Sequence, residues 1–259
     1  MKSKFLIFTA FLIITSTVFN VCAFASSAEN WYIVKKANDT PSFPKTSEYL
    51  KEHACYFIDE SCALDGEKRL YLTFDAGYEN GNIEGILDVL SDEGIKGAFF
   101  ILSNLIRKNT ELVKRMADDG HLVCNHTKNH KDMTTLTKEE MQQNLAALEV
   151  MYKEATGYDM PKYFRYPEGR YSLSTVESAE EFGYKTFFWS AAYADWDNGR
   201  QPSAEAAKQT LLAQTHPGAI ILLHPTSSTN LKILPELISI WRSMGYSFGT
   251  LDELVENNK

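Results

Sequence analysis

Leu70-Tyr71-Leu72-Thr73-Phe74-Asp75-Ala76-Gly77, followed after a short polar turn by the apolar-periodic run Ile83 to Leu90, decides the fold class. The first part is a β-rich run and the second repeats apolar residues at helical spacing, so the two read as one strand-then-helix unit. The alternation recurs with Ala98 to Leu102 before Leu112 to Ala117, and with His121 to Cys124 before Lys138 to Tyr152. It continues with strands expected at Tyr163 to Tyr166, Tyr184 to Trp189, Ala219 to Leu223 and Ser247 to Thr250. Helices are expected between them near Ser174 to Phe182, Ala204 to Gln214 and Leu231 to Met244. Strands alternating with helices imply parallel pairing through helical crossovers, so the chain is α/β with seven such units; an open doubly wound sheet and an irregular barrel both satisfy the pattern. Thr137 with Glu140 and Ser174 with Glu177 read as capping boxes at helix starts, and Gly120, Gly157, Gly183 and Gly245 as helix ends.

Upstream of this series, residues 26 to 67 show weak periodicity, and Pro41 and Pro44 interrupt the chain before a short helix expected at Ser47 to His53. This segment reads as an N-terminal extension wrapping a main domain of residues 68 to 251, with 252 to 259 as a C-terminal tail. Residues 1 to 25 read as a secretory signal. Lys2 and Lys4 precede the apolar stretch Phe5 to Ile14, and Ala23-Phe24-Ala25 offers small residues for cleavage after Ala25. An uncleaved anchor, Phe5 to Ala25 being free of charge, is the alternative, and the only one that would bring the chain to a membrane. Either way the rest of the chain is expected to be exported. Loss of the two signal lysines takes the formal charge from −8 to −10. Cys22 goes with the signal, leaving Cys55, Cys62 and Cys124, of which the first two are spaced so that a bridge is possible.

At 259 residues and 44% hydrophobic content the chain suffices for one large domain with its own core. The acidic balance gives no basic face for a phosphate backbone, so nucleic acid is excluded as a partner. No GxGxxG follows the first strand and no GxxxxGK[ST] occurs, so nucleotide binding has no support.

In α/β folds chemistry gathers at the carboxyl ends of the strands. Here the first strand ends in Asp75, the third in Asn125-His126 with His130 four further on, and the fourth in Arg165. Asp195-Trp196 follow the fifth, and His224 ends the sixth. Each alone has an ordinary structural explanation, since Asp75 before Gly77 can shape a turn and a lone histidine is more often hydrogen-bonded than a ligand. Their common position at one rim is what argues for a site.

Thr73-Phe74-Asp75-Ala76-Gly77, Asn125-His126-Thr127-Lys128-Asn129-His130, Arg165-Tyr166-Pro167-Glu168-Gly169, Asp195-Trp196 and Leu222-Leu223-His224 resemble, in order, the five motifs of the polysaccharide deacetylase family, the NodB-homology carbohydrate esterases. The resemblance covers about residues 68 to 251. It implies a distorted (β/α) barrel of seven or eight units and a divalent metal, zinc, used in removing N-acetyl groups from amino sugars. Around the motifs, Tyr78-Glu79-Asn80-Gly81, Phe188-Trp189-Ser190 and His216-Pro217-Gly218-Ala219-Ile220 are similar to the δ-lactam-forming deacetylases of spore cortex peptidoglycan. Their substrate is N-acetylmuramic acid without its peptide. The implied partner is a peptidoglycan glycan strand, and the implied location the cell wall or the forespore intermembrane space.

Amide hydrolysis needs a base for water, a holder for the oxyanion and an acid for the departing amine. By the resemblance Asp75 is the base and His224 the acid. Arg165 orients Asp75, and Asp195 pairs with His224. His126 and His130 hold the metal, Trp196 and Leu222 shape the acetyl-methyl pocket, and the amide N–H of Glu168 is the oxyanion donor. The family's first motif usually carries a second, metal-binding aspartate where this chain has Ala76. The site thus lacks one anionic ligand unless Asp75 itself or water substitutes. Glu168 also departs from the aromatic or basic residue usual there, and its side chain reads first as a solvated loop glutamate. Arg170 is either the cation that receives a lactyl carboxylate or a rim arginine paired with a neighbouring acid. Two other functions remain: a general peptidoglycan N-acetylglucosamine deacetylase, and a non-catalytic glycan-binding module. The acid and base residues together argue against the second.

Overall fold

The computed structural model describes residues 27–36 and 39–258. The expected signal at 1 to 25, Cys22 included, lies outside them. The centre is an eight-stranded sheet, in chain order β1 (Cys55–Tyr56), β2 (Arg69–Ala76), β3 (Ala98–Ile101), β4 (Leu122–Asn125), β5 (Tyr163–Phe164), β6 (Lys185–Phe187), β7 (Ala219–Leu223) and β8 (Ser247–Phe248). Spatially the order is β7-β2-β3-β4-β5-β6-β1, with β8 on β2, and every pairing is parallel. The free edge of β7 is met by single bridges from Ile58 and Ala191, to Ala219 and Ile221 respectively, which curl the sheet into a distorted barrel. The barrel reading is therefore the one the chain follows.

Alternation along β2 sorts its side chains. Leu70, Leu72, Phe74 and Ala76 pack outward with Ile86, Leu90, Leu234 and Leu237 of the helices Ile83–Asp92 and Ser228–Ser243. Tyr71 turns inward with Phe100, Cys124, Phe187 and Ile220. Thr73 and Asp75 share Tyr71's parity, so a period of two points both into the barrel above that apolar layer. Residues 252 to 259, expected as a tail, supply most of the helix Leu251–Asn257, whose Leu251, Leu254 and Val255 belong to the same inner layer.

All seven expected strands form. The sheet has one more, β1, which comes from the extension and pairs with β6. Two residues are too few to carry a periodicity, so this strand has no signature in the sequence. The extension also buries Trp31, Phe43, Leu50, Phe57 and Ile58 in a third cluster, and its expected helix is a 3₁₀ helix at Lys45–Glu52. The Thr137–Glu140 capping box is present. The other box is corrected: Ser172 caps Leu173–Glu181 with Thr175 as its partner, because the helix begins one residue before Ser174. Gly120, Gly157, Gly183 and Gly245 all adopt the left-handed φ of helix ends. Cys55, Cys62 and Cys124 are free thiols. No helix among the described residues is long and apolar enough to cross a membrane.

Candidate active site

Arg165 organises the rim. It is fully buried one residue beyond β5, with its guanidinium 4.1 Å from the centre of the Phe100 ring that caps the apolar layer. Its Nε donates to Phe187 O at 2.9 Å and its Nη2 to Phe188 O at 3.2 Å and Thr73 Oγ1 at 3.0 Å. Thr73 donates in turn to Ile221 O at 2.7 Å. With those donors engaged, Nη1 is left for Asp75, whose Oδ1 it meets at 2.8 Å. Burial pushes the Asp75 carboxyl up, but its electrostatic interactions with His126, Arg165 and His224, with the Arg165 hydrogen bond, outweigh it and hold the group below its usual range. Asp75 is thus an ionised acceptor in a nearly dry setting.

His126 donates from Nδ1 to Arg165 O at 2.9 Å, which fixes the tautomer and leaves the Nε2 lone pair 3.5 Å from Asp75 Oδ2. Burial drives its pKa down to about 4, so the ring is neutral at physiological pH. The ring of His130 lies 5.0 Å away, edge to face, on a loop where Thr127 and His130 both have left-handed φ and Thr127 Oγ1 accepts from His130 N at 2.9 Å. The expected three-donor set is only partly assembled. Among the described residues no three His, Cys, Asp or Glu side chains are grouped to hold a metal. Arg165 holds one oxygen of Asp75, and Ala76 has no donor and is packed among apolar residues. What fits a cation is the pair of imidazoles of His126 and His130, with Asp75 as the adjacent anion.

The second couple lies across the rim. Asp195, fully buried, accepts from His224 Nδ1 and from His224 N, both at 2.7 Å, and from Asn230 Nδ2 at 2.6 Å. Asn230 Nδ2 also reaches His224 O at 2.9 Å, and its Oδ1 accepts from Tyr193 OH. Burial lowers the His224 pKa, but the hydrogen bond and charge of Asp195, helped by the charge of Asp75, reverse this and leave it raised. The two couples sense each other's charge, and their environments hold Asp75 down and His224 up. Asp195→Asn removes the carboxylate that holds the proton on His224 while burial remains. The alkaline limb of the pH–rate profile is therefore expected to move to lower pH, and a limb that stays in place contradicts the pairing.

Leu222 is buried and on the inward face of β7, whereas Trp196 is 65% exposed. Of the two residues expected to shape an acetyl-methyl pocket, one is thus buried and the other open. Glu168 has an exposed side chain but left-handed backbone, φ 57 and ψ 10. Arg170 Nε lies 2.7 Å from Asp132 Oδ2, so it is the paired rim arginine of the two expected alternatives. Thr73, Asn230 and Tyr193 were not foreseen as site residues. Thr73, two residues before Asp75, was findable from strand alternation; Asn230 sits six residues past His224 inside a helix and had no local signal. The other described histidines are structural. His53 pairs with Glu180, His121 accepts from Gly97 N and His216 meets Ser190.

Comparison with known proteins bears on the family and the fold. A family model described as polysaccharide deacetylase matches residues 64–187. A protein of Geobacillus stearothermophilus, named as an uncharacterized 30.6 kDa protein in the fumA 3' region, is 37% identical over 228 residues, 87% of this chain and 84% of that one. The peptidoglycan-N-acetylmuramic acid deacetylase PdaA of Bacillus subtilis (strain 168) is 33% identical over 228 residues, covering 87% of this chain and 85% of its own. The solved structure of Bacillus subtilis PdaA, described as a family 4 carbohydrate esterase, matches with a TM-score of 0.85 at 32% identity, over 90% of this chain and 98% of that chain.

Proposed function

We propose, from the premise that this chain belongs to the polysaccharide deacetylase family, that it is a peptidoglycan deacetylase whose preferred residue is N-acetylmuramic acid freed of its peptide, the precursor of muramic δ-lactam in spore cortex. The observation that carries the reading is the pairing of a buried Asp75–Arg165 couple with a buried Asp195–His224 couple, one poised to take a proton and the other to give one. Glycan binding alone needs neither.

The reaction consumes one water per acetamide. Asp75 accepts a proton as the water oxygen bonds to the acetyl carbon. The developing oxyanion lies against the Glu168 amide N–H. His224 then delivers its proton to the nitrogen as the C–N bond breaks, leaving acetate and a free amine. Arg165 keeps Asp75 ionised and aimed, and Asp195 keeps His224 protonated and oriented. His126 and His130 would hold a divalent cation, zinc in our reading, which supplies polarisation of the carbonyl and acidification of water. With two imidazoles as its firm ligands, it is expected to be held less tightly than by two imidazoles and an added carboxylate. The deduced setting is outside the cytoplasm, at the cell wall or the forespore intermembrane space, in keeping with the apolar stretch Phe5 to Ile14.

The PdaA relative, by its name an N-acetylmuramic acid deacetylase, supports the muramic reading. The Arg170–Asp132 pair weighs against a free cation at that position, so lactyl recognition through Arg170 requires the pair to open. Competition between amidase-stripped and intact peptidoglycan tests the proposal, with acetate and muramic δ-lactam followed separately. The expected result is a roughly tenfold or greater preference for stripped glycan, the worth of one charge-assisted contact, lost on chelation and restored by zinc. Equal rates, or acetate from glucosamine only, replace it with the general deacetylase reading. Full turnover in a preparation shown by elemental analysis to be metal-free removes the metal from it.

A further inference from the structure

The N-terminal extension reaches the catalytic rim through Trp31 and the two residues before it. Trp31 donates its backbone N–H to Gly169 O at 2.8 Å and its indole N–H to Trp189 O at 2.9 Å, and its ring stacks on Phe188 with centroids 4.5 Å apart. Just before it, Glu29 and Asn30 pair antiparallel with Tyr171 and Arg170. Trp31 therefore grips two arms of the site at once. One arm is Pro167–Gly169, which carries the left-handed Glu168. The other is Phe188-Trp189, where Phe188 O accepts from Arg165 Nη2 and the Trp189 ring lies 5.8 Å from the guanidinium.

Left-handed backbone at a non-glycine residue is unfavourable and persists only where the surroundings over-determine it. The Glu168 side chain is exposed and so is not packed into a compensating core. The constraint comes from its neighbour: a Cβ on Gly169 would lie 2.8 Å from Trp189 Cη2 and 3.0 Å from Trp31 Cβ, so only glycine fits beneath the two indoles. We infer that Trp31 is a positioning residue for catalysis, which holds the Glu168 amide and the Arg165 guanidinium in their working geometry. The inference rests on the reading of Glu168 N–H as oxyanion donor given above.

Trp31→Phe keeps an aromatic ring for Phe188 and removes the indole donor. It is expected to lower kcat by roughly tenfold, a fraction of what losing an oxyanion donor outright costs, with KM changed less than about twofold. Because glycine accepts positive φ without strain, the same substitution in a Glu168→Gly background should cost distinctly less relative to Glu168→Gly alone. Leu50→Ala, in the same apolar cluster but on the 3₁₀ helix Lys45–Glu52 and part of neither arm, is the stability control, expected to lower Tm with kcat unchanged. Hydrogen exchange across 165–171 reads the positioning independently of activity: faster exchange in Trp31→Phe than in Leu50→Ala supports the inference. Wild-type kcat in Trp31→Phe, an equal loss in both backgrounds, or unchanged exchange across 165–171 overturns it. A wild-type protein that releases no acetate from any peptidoglycan instead overturns the deacetylase reading, while the exchange comparison still decides whether Trp31 holds the loop.

Discussion

Asp75→Asn and His224→Ala are each expected to lower acetate release by about two orders of magnitude or more, the usual worth of a positioned general base or acid. The two losses have different causes. Asparagine at position 75 keeps the size of the side chain and an acceptor for Arg165 Nη1, but has no basic oxygen to take a proton from water. Alanine at 224 leaves the departing amine to find its proton in solvent and leaves Asp195 as a buried carboxylate with one donor fewer. Since the residues act on successive moments of one reaction, the double variant is expected to fall well short of the product of the single losses. Wild-type acetate release by either single variant removes that residue from its role.

Arg165→Met is expected to be the most damaging substitution to the fold and to disable the site. Arg165 is 0% exposed and its hydrogen bonds go to Phe187 O, Phe188 O, Thr73 Oγ1 and Asp75 Oδ1, so methionine fills the space but leaves Asp75 uncompensated. Breaking a buried pair by removing one partner costs about 3–5 kcal/mol, which for a chain of this size is a fall in Tm of roughly 10 °C. The pH dependence has a definite sign. In the native protein Asp75 has a lowered pKa, so its pairing stabilises the fold above the ordinary carboxylate value and that stabilisation is lost as pH falls through the native pKa. In the variant, burial is no longer offset by Arg165. The carboxyl then takes up a proton more readily, and the gap in Tm from wild type should narrow as pH is lowered. Thermal unfolding of both proteins across the acid range measures it; a gap that widens toward acid pH contradicts the pairing.

The fold was legible because its strands stand out as short β-rich runs between amphipathic stretches and its helices by their ends. Leu70, Leu72 and Phe74 face one way and Tyr71, Thr73 and Asp75 the other, and this one strand already separates core from site. The short β1 had no such signature, and the register of Cys55 against Thr186 is set by tertiary packing of the extension. At the site, the groups to which the proposal gives the chemistry were readable because they lie at strand ends or in the loops that follow them. Those that orient them were not, because Asn230 and Trp31 arrive from a helix and from the extension and meet their partners only in three dimensions. Arg170 shows the complementary limit: its sequence neighbours do not reveal that Asp132, on the loop after His130, will claim it.

The account turns on hydrolysis by the Asp75 and His224 couples, and product analysis of amidase-stripped peptidoglycan incubated with the wild-type protein and with Asp75→Asn tests it most directly. The predicted result is acetate released by the wild type in step with cleaved acetamides, each freed amine appearing as such or as lactam, and almost none released by Asp75→Asn. Glycan bound equally by both proteins, with no acetate released by either, would contradict it.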